Sequence, residues 1–435
     1  MSYNPYGAPP PGAYPPPGGN PYGAPAYPPP QGPPGAYPPP PGQPPYPQHG
    51  GGYQAPPPPP HGHHHHHQQP PYGAYPGGGY AAPPPPPPQA PGGYYGGPPA
   101  PAPGPAYYMG VPTPLPGAPP APAPGFDAHS AVERVRKATK GFGTDESALI
   151  GVLAPLDAWQ AVTLRQAFQA ATGKDLVNVI EKETSGWFEN VLRAKALGAV
   201  EYDAWLVHRA TAGAGTHEQI LNEVLLGRNA QDMWTLKQAY RQIYGKPLER
   251  VVEDDLSFKT KRLFVMAMTG NRPDDSVPVD GRLVEADVQT LYKAAKGMGT
   301  DEIAICGVLV SRNAPHLAAV ARAYEHAHRT KLSKMILKEF SGHMEDALLH
   351  IVLAAEGDGN GIERDAKLLE DAMAGMGTKD ELLIVRVVRG SWNRARFEEV
   401  KRCYALKHSK KGLKNRVEGE TSGDYKRALS AVVGS

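Results

Sequence analysis

The first 125 or so residues contain no Asp, Glu, Lys or Arg. They are also almost devoid of large aliphatic side chains. Such a stretch cannot bury enough apolar surface to offset the entropy of ordering it, which excludes a packed domain there. Cysteine is nearly missing too, with only Cys306 and Cys403 in 435 residues. That excludes a disulfide framework and points to a reducing, cytoplasmic setting. No run approaches the roughly 20 apolar residues of a spanning helix, and no basic-then-apolar secretory leader is visible. The chain is therefore expected to touch a membrane rather than cross it. A net charge of +2 gives no case for nucleic-acid binding.

What is present divides at about residue 125. The front part holds 48 of the 53 prolines and 15 of the 22 tyrosines. Its proline runs favour extended polyproline II, and its Gly-Gly and Gly-Ala-Tyr-Pro stretches are linker-like. Residues 1–125 therefore read as a disordered tail. The run His63 to His67 sits inside it and reads as a solvated polar tract.

The remaining residues carry every charge and a fourfold pattern. Gly-x-Gly-Thr occurs at Gly141 to Thr144, Gly213 to Thr216, Gly297 to Thr300 and Gly375 to Thr378. A carboxylate follows 42 positions after the first glycine in three copies, as Glu183, Asp255 and Glu339. It follows after 45 positions in the fourth, as Glu420. Eight residues after each first glycine stands Leu149, Leu221, Ile305 or Leu383. Val152 and Leu153, Val224 and Leu225, Val308 and Leu309 follow, with Arg386 and Val387 in the fourth copy. These spacings define one face of a helix. The threonine suits an N-cap, and Thr216 with Gln219 and Thr378 with Glu381 would complete capping boxes. A second turn, Glu-Thr-Ser-Gly or a variant of it, precedes amphipathic stretches at Phe188 to Ala196, Met344 to Ala355 and Tyr425 to Val433. Strand-like alternation is scarce. The core is expected to be all-α with several helices per repeat.

Two glycines in a tight turn let backbone carbonyls point outward. Carbonyls with a carboxylate are hard oxygen ligands of the kind Ca²⁺ takes, whereas zinc would want His or Cys and finds only His217. One carboxylate against a divalent ion leaves the site at about +1 and short of ligands, and a lipid phosphate would supply both. Calcium and anionic lipid would then each raise affinity for the other. One glycine turn alone would be a mere connector; four with matched acids are not. Phosphate-cradling motifs need G-x-G-x-x-G or Gly-Lys-Ser/Thr, which these loops lack. No nucleophile–base–orienter set stands out, so no enzyme activity is expected.

With Lys140 and Lys296 ahead of them, the loops and the Glu-Thr-Ser-Gly turns resemble an annexin over residues 126 to 435. The resemblance implies four five-helix repeats forming a curved disc, with calcium sites on its convex face. It divides the chain into repeat one at 126–198, repeat two at 199–270, a linker at 271–282, repeat three at 283–356 and repeat four at 357–435. The implied calcium ligands are Thr139, Gly141, Gly143 and Glu183 in repeat one, and Ala295, Gly297, Gly299 and Glu339 in repeat three. Repeat four offers Met373, Gly375, Gly377 and Glu420. Repeat two offers Thr211, Gly213, Gly215 and Asp255, but Ala212, His217 and Phe258 depart from the pattern, which ranks it last. The tail is similar to those of long-tailed annexins, and its Pro44 to Pro47 segment resembles motifs bound by penta-EF-hand proteins. The implied function is calcium-dependent binding to anionic phospholipid membranes, peripheral and cytoplasmic, in membrane organisation or vesicle trafficking. The alternative is a scaffold whose tail self-associates into condensates, with the core as membrane tether. Phe142, Met298 and Met376 at the loop tips are candidates to dip into lipid. The position after the turn glycine is polar in three repeats (Lys259, His343, Asp424), which predicts exposure and makes Trp187 in repeat one a candidate anchor.

Overall fold

The computed structural model describes residues 106–435 apart from 115, 117–120, 142, 214, 257 and 298. The proline-rich stretch 1–105, with His63 to His67 and Pro44 to Pro47, lies outside the described residues. Five helices build repeat one: α1 (Ala128–Ala138), α2 (Glu146–Leu153), α3 (Ala158–Thr172), α4 (Leu176–Glu183) and the first half of α5 (Gly186–Ala210). The second half of α5 begins repeat two, followed by α6 (Glu218–Leu225), α7 (Ala230–Tyr244), α8 (Leu248–Asp255) and α9 (Phe258–Met268). Repeat three holds α10 (Gly281–Ala294), α11 (Glu302–Ser311), α12 (Ala314–His328), α13 (Leu332–Glu339) and α14 (Gly342–Glu356). Repeat four holds α15 (Ile362–Met373), α16 (Asp380–Trp392), α17 (Arg394–Lys407), α18 (Gly412–Glu420) and α19 (Gly423–Gly434). The fold is all-α in four five-helix repeats. Helix α5 serves two of them because Gly198 takes φ 75° and ψ 174° in its middle, a left-handed conformation that breaks the axis and suits only glycine.

The face read from the loop spacing is the buried one. Leu149, Leu153, Leu221, Val224, Leu225, Ile305, Leu309, Leu383 and Val387 are all buried. Arg386 is also buried, in a place where the other repeats have valine. Its guanidinium donates twice to Glu223 Oε1 of α6, at 2.9 and 2.6 Å, and so joins repeats two and four.

The folded part begins earlier than residue 126. Residues 106–113 form an antiparallel hairpin, β1 (Ala106–Tyr108) with β2 (Val111–Thr113). The reason is one anchored side chain. Tyr108 is fully buried, and its hydroxyl donates to Asp203 Oδ2 at 2.7 Å. Arg389 Nε donates to Asp203 Oδ1 at 2.8 Å, and Arg228 pairs with the same carboxylate. The Arg228 guanidinium also lies 4.9 Å from the Tyr108 ring centre. The stretch is free of charge, yet one tyrosine in it closes a charged knot between repeats two and four. Burial alone would raise the pKa of Asp203, but Arg389 and Arg228 outweigh it and hold it below its ordinary value.

Asp203→Asn is expected to cost about 3 kcal/mol in urea unfolding at neutral pH, because it leaves Arg389 without its carboxylate and the buried Arg228 with only the more distant Asp232, 3.8 Å away. The depressed carboxyl contributes stability above its unfolded pKa, lost as pH falls through the folded one. The Asn variant should therefore lose less stability than the native chain over that acid range.

Candidate metal centres

Each glycine loop joins one helix end to the next helix start: α1 to α2, α5 to α6, α10 to α11 and α15 to α16. The eight loop glycines have φ between 86° and 125°, closed to most side chains. A Cβ built on any of them would meet nothing within 4 Å. Backbone conformation, not crowding, therefore demands glycine. One backbone bond closes every loop. The N–H groups of Asp145, His217, Asp301 and Lys379 donate to the carbonyls of Ala138, Ala210, Ala294 and Ala372 at 2.8–3.0 Å.

The threonines do not cap the helices. The N-caps are Asp145, His217, Asp301 and Lys379, one residue later, and neither His217 nor Lys379 makes a side-chain cap bond. The Thr216–Gln219 and Thr378–Glu381 capping boxes are therefore not formed. The hydroxyls are engaged elsewhere. Thr300 donates to Glu339 Oε2 at 2.7 Å and Thr216 to Asp255 Oδ2 at 2.6 Å. Thr378 donates to Glu420 Oε2 at 3.0 Å, and Thr144 to the Glu183 carbonyl at 3.0 Å. Each loop is thus tied to the helix end that carries its acid. The sequence held a signal for this: the residue is threonine four times, whereas the true cap is Asp, His, Asp and Lys.

What results is a corner of oxygens. Among the described residues, no donor reaches the carbonyls of Thr139, Gly141, Gly143, Thr211, Gly213, Gly215, Ala295, Gly297, Gly299, Gly375 or Gly377. Among the same residues there is no group of three or more His, Cys, Asp or Glu side chains able to hold a metal ion. A metal here would rest on backbone oxygens with a lone carboxylate, a hard donor set that fits calcium.

Comparison with known proteins gives the family. The annexin family profile matches residues 130–194, 202–267, 286–351 and 364–432. The chain belongs to the annexin family. It is 49% identical over 332 residues to annexin C1 of Cryptococcus neoformans var. grubii, covering 76% of this chain and 70% of that protein. It is 38% identical over 316 residues to human annexin A4, covering 71% of this chain and 95% of that one. The structure of a point mutant of annexin A8 with an intact N-terminus superposes with a TM-score of 0.67 at 33% identity, over 72% of this chain and 97% of the other. Annexins as a family bind phospholipid in a calcium-dependent way. Among the described residues, no helix is long and apolar enough to cross a membrane.

The four corners of this annexin differ. In repeat one the Glu183 carboxylate has no hydrogen-bond partner among the described residues, and it borders a groove with Thr139 and Lys140. In repeat three, hydrogen bonds from Lys338 and Thr300 hold the Glu339 carboxyl below its ordinary pKa, so it is charged at neutral pH. In repeat two, Phe258 occupies the turn-glycine position at φ 47°, where Gly186, Gly342 and Gly423 have 59–65°. The turn keeps its shape at the cost of a strained aromatic residue, which is 91% exposed. In repeat four, Arg416 holds both Glu420 and the Met373 carbonyl. Phe142 and Met298 lie outside the described residues, while Met376 is fully exposed and Trp187 is 40% exposed. The expected exposure after the turn glycine fails at His343. Its side chain is 7% exposed, lies beside the Phe264 ring and bonds Asn222 Oδ1. Repeat three packs against repeat two there, which a repeat read alone could not reveal.

Thr300→Val should free the Glu339 carboxylate from its loop. Losing about 1 kcal/mol of positioning predicts an about fivefold higher calcium requirement at that corner, read by calcium titration of the folded chain.

Proposed function

We propose that this annexin docks on anionic phospholipid surfaces through calcium held at the corners of repeats one and three. Thr139, Gly141, Gly143 and Glu183 would hold one ion, and Ala295, Gly297, Gly299 and Glu339 the other. The observation that carries this reading is the row of loop carbonyls without donors on the same loops whose threonines reach the acid-bearing helix ends, Thr300 to the Glu339 carboxylate and Thr144 to the Glu183 main-chain carbonyl. Such a corner supplies too few oxygens and too little negative charge for a divalent ion. Calcium bound there would offer its remaining valences to lipid phosphate.

The chain's own residues do the rest. The glycines would hold the carbonyls outward; Thr300 ties the Glu339 carboxylate to its loop, and Thr144 ties the helix end that bears Glu183. Two corners borne by one core would add avidity. Exposed apolar side chains stand beside the corners, Met376 at one loop tip and Phe258 and Trp187 at the second turns. They are suited to the lipid interface. A cytoplasmic protein that becomes peripheral on membranes as calcium rises, with a part in membrane organisation or vesicle trafficking, follows from this. The rival reading, a tail-driven scaffold that merely tethers through its core, rests on composition in residues outside the structure. So do self-association and a penta-EF-hand or Pro-motif partner for the tail.

Co-sedimentation with anionic vesicles tests the proposal. Glu183→Gln with Glu339→Gln removes the only formal anion of each cage and should raise the calcium needed for half-maximal binding by at least about tenfold. Asp255→Asn should change it little. Equal effects of all three, or pelleting of the native chain regardless of calcium, would defeat this reading.

A further inference from the structure

Arg416 stands four residues before Glu420 on α18. The same register before Glu183, Asp255 and Glu339 holds Val179, Val251 and Met335, all packed against the apolar core. Only repeat four places a cation there. Its guanidinium donates to Glu420 Oε1 at 2.5 Å and to the Met373 carbonyl at 2.6 Å. Those are the carboxylate and the first carbonyl that would hold a metal in this repeat. The Arg416 Nε also lies 3.9 Å from Glu370 Oε2, a carboxylate that accepts from the Tyr404 hydroxyl. Glu370 is equally peculiar to repeat four: five residues before the other first glycines stand Arg136, His208 and Tyr292.

We propose that Arg416 is a built-in cation that closes the corner of repeat four to calcium. The inference rests on the calcium reading of repeats one and three, and it names the residue that decides which repeats take the ion. A guanidinium offers a fixed positive charge and a planar set of donors to oxygen ligands, and its charge cannot be lost by deprotonation. With Glu370 and Glu420 it leaves the corner with one net negative charge and its principal ligands already satisfied. A calcium ion entering would have to expel the side chain and break both bonds. Since the arginine is covalently attached, it competes at every calcium concentration. The loop glycines and Thr378 keep the shape of a calcium corner, so the repeat preserves its fold without the ion.

Calcium bound by the full-length chain on phosphatidylserine vesicles, counted by equilibrium dialysis, tests this. Glu420→Gln in the native background should leave the count unchanged. Arg416→Met, which installs the residue of repeat three, should add about one ion per chain, and Glu420→Gln in that background should remove it again. The added ion should also raise the thermal midpoint of Arg416→Met on calcium addition by more than that of the native chain. Loss of an ion from the native chain on Glu420→Gln, or no gain in folded Arg416→Met, would overturn the proposal. The first arm decides even where Arg416→Met does not fold. Failure of the wider reading looks different: Glu183→Gln with Glu339→Gln would then leave the count untouched.

Discussion

A hydroxyl that reaches across 39 residues is the contact on which the structure of this protein turns. Thr300, Thr216 and Thr378 bond the carboxylates of Glu339, Asp255 and Glu420, and Thr144 bonds the main-chain carbonyl at Glu183, so each loop is tied to the helix end that bears its acid. Without that bond the glycine loop is only a helix connector and the acid only a helix end. With it, a loop whose carbonyls have no donors among the described residues is fastened to the helix end that carries the acid. The five-helix repeat is the frame that makes the contact possible. It brings a loop after the first helix against the end of the fourth, with an apolar stripe beneath to fix the register.

Much of this could be read in the sequence because it is encoded locally and repeated. Leu149, Val152 and Leu153 mark a buried face by spacing alone, and their equivalents mark it again. The glycines announce positive φ. Other features were hidden because they arise between distant segments. Tyr108 sits in a stretch whose composition argues for disorder, yet Asp203, 95 residues away, gives its hydroxyl a partner. His343 looked like a surface residue until α6 and α9 were seen against it. Threonine has two uses near a helix start, as an N-cap and as a donor to a distant acid, and its spacing from the loop alone does not separate them. Arg386 and Arg416, both in repeat four, look like departures from an apolar pattern. Each is a cation with a specific buried or partly buried partner.

Repeat four therefore differs in kind from repeats one and three. It binds repeat two through charge, by Arg386 to Glu223 and Arg389 to Asp203, and it satisfies its own loop with Arg416. Repeat two keeps the corner but with a shorter acid and a strained, exposed phenylalanine. The fourfold pattern fixes the scaffold, and departures at single positions divide the work. On the reading proposed here, two corners take an ion and one is closed by a tethered cation, while repeat two presents an aromatic ring to solvent.

The central claim is that the protein supplies only part of the coordination its ions need. Calcium affinity of the full chain, measured with and without phosphatidylserine vesicles at one ionic strength, addresses it most directly. The account predicts weak binding in solution that tightens strongly when the anionic surface is present, with neutral vesicles giving no such gain. Equal affinity under all three conditions would show that the protein completes the cage by itself, and would contradict the account.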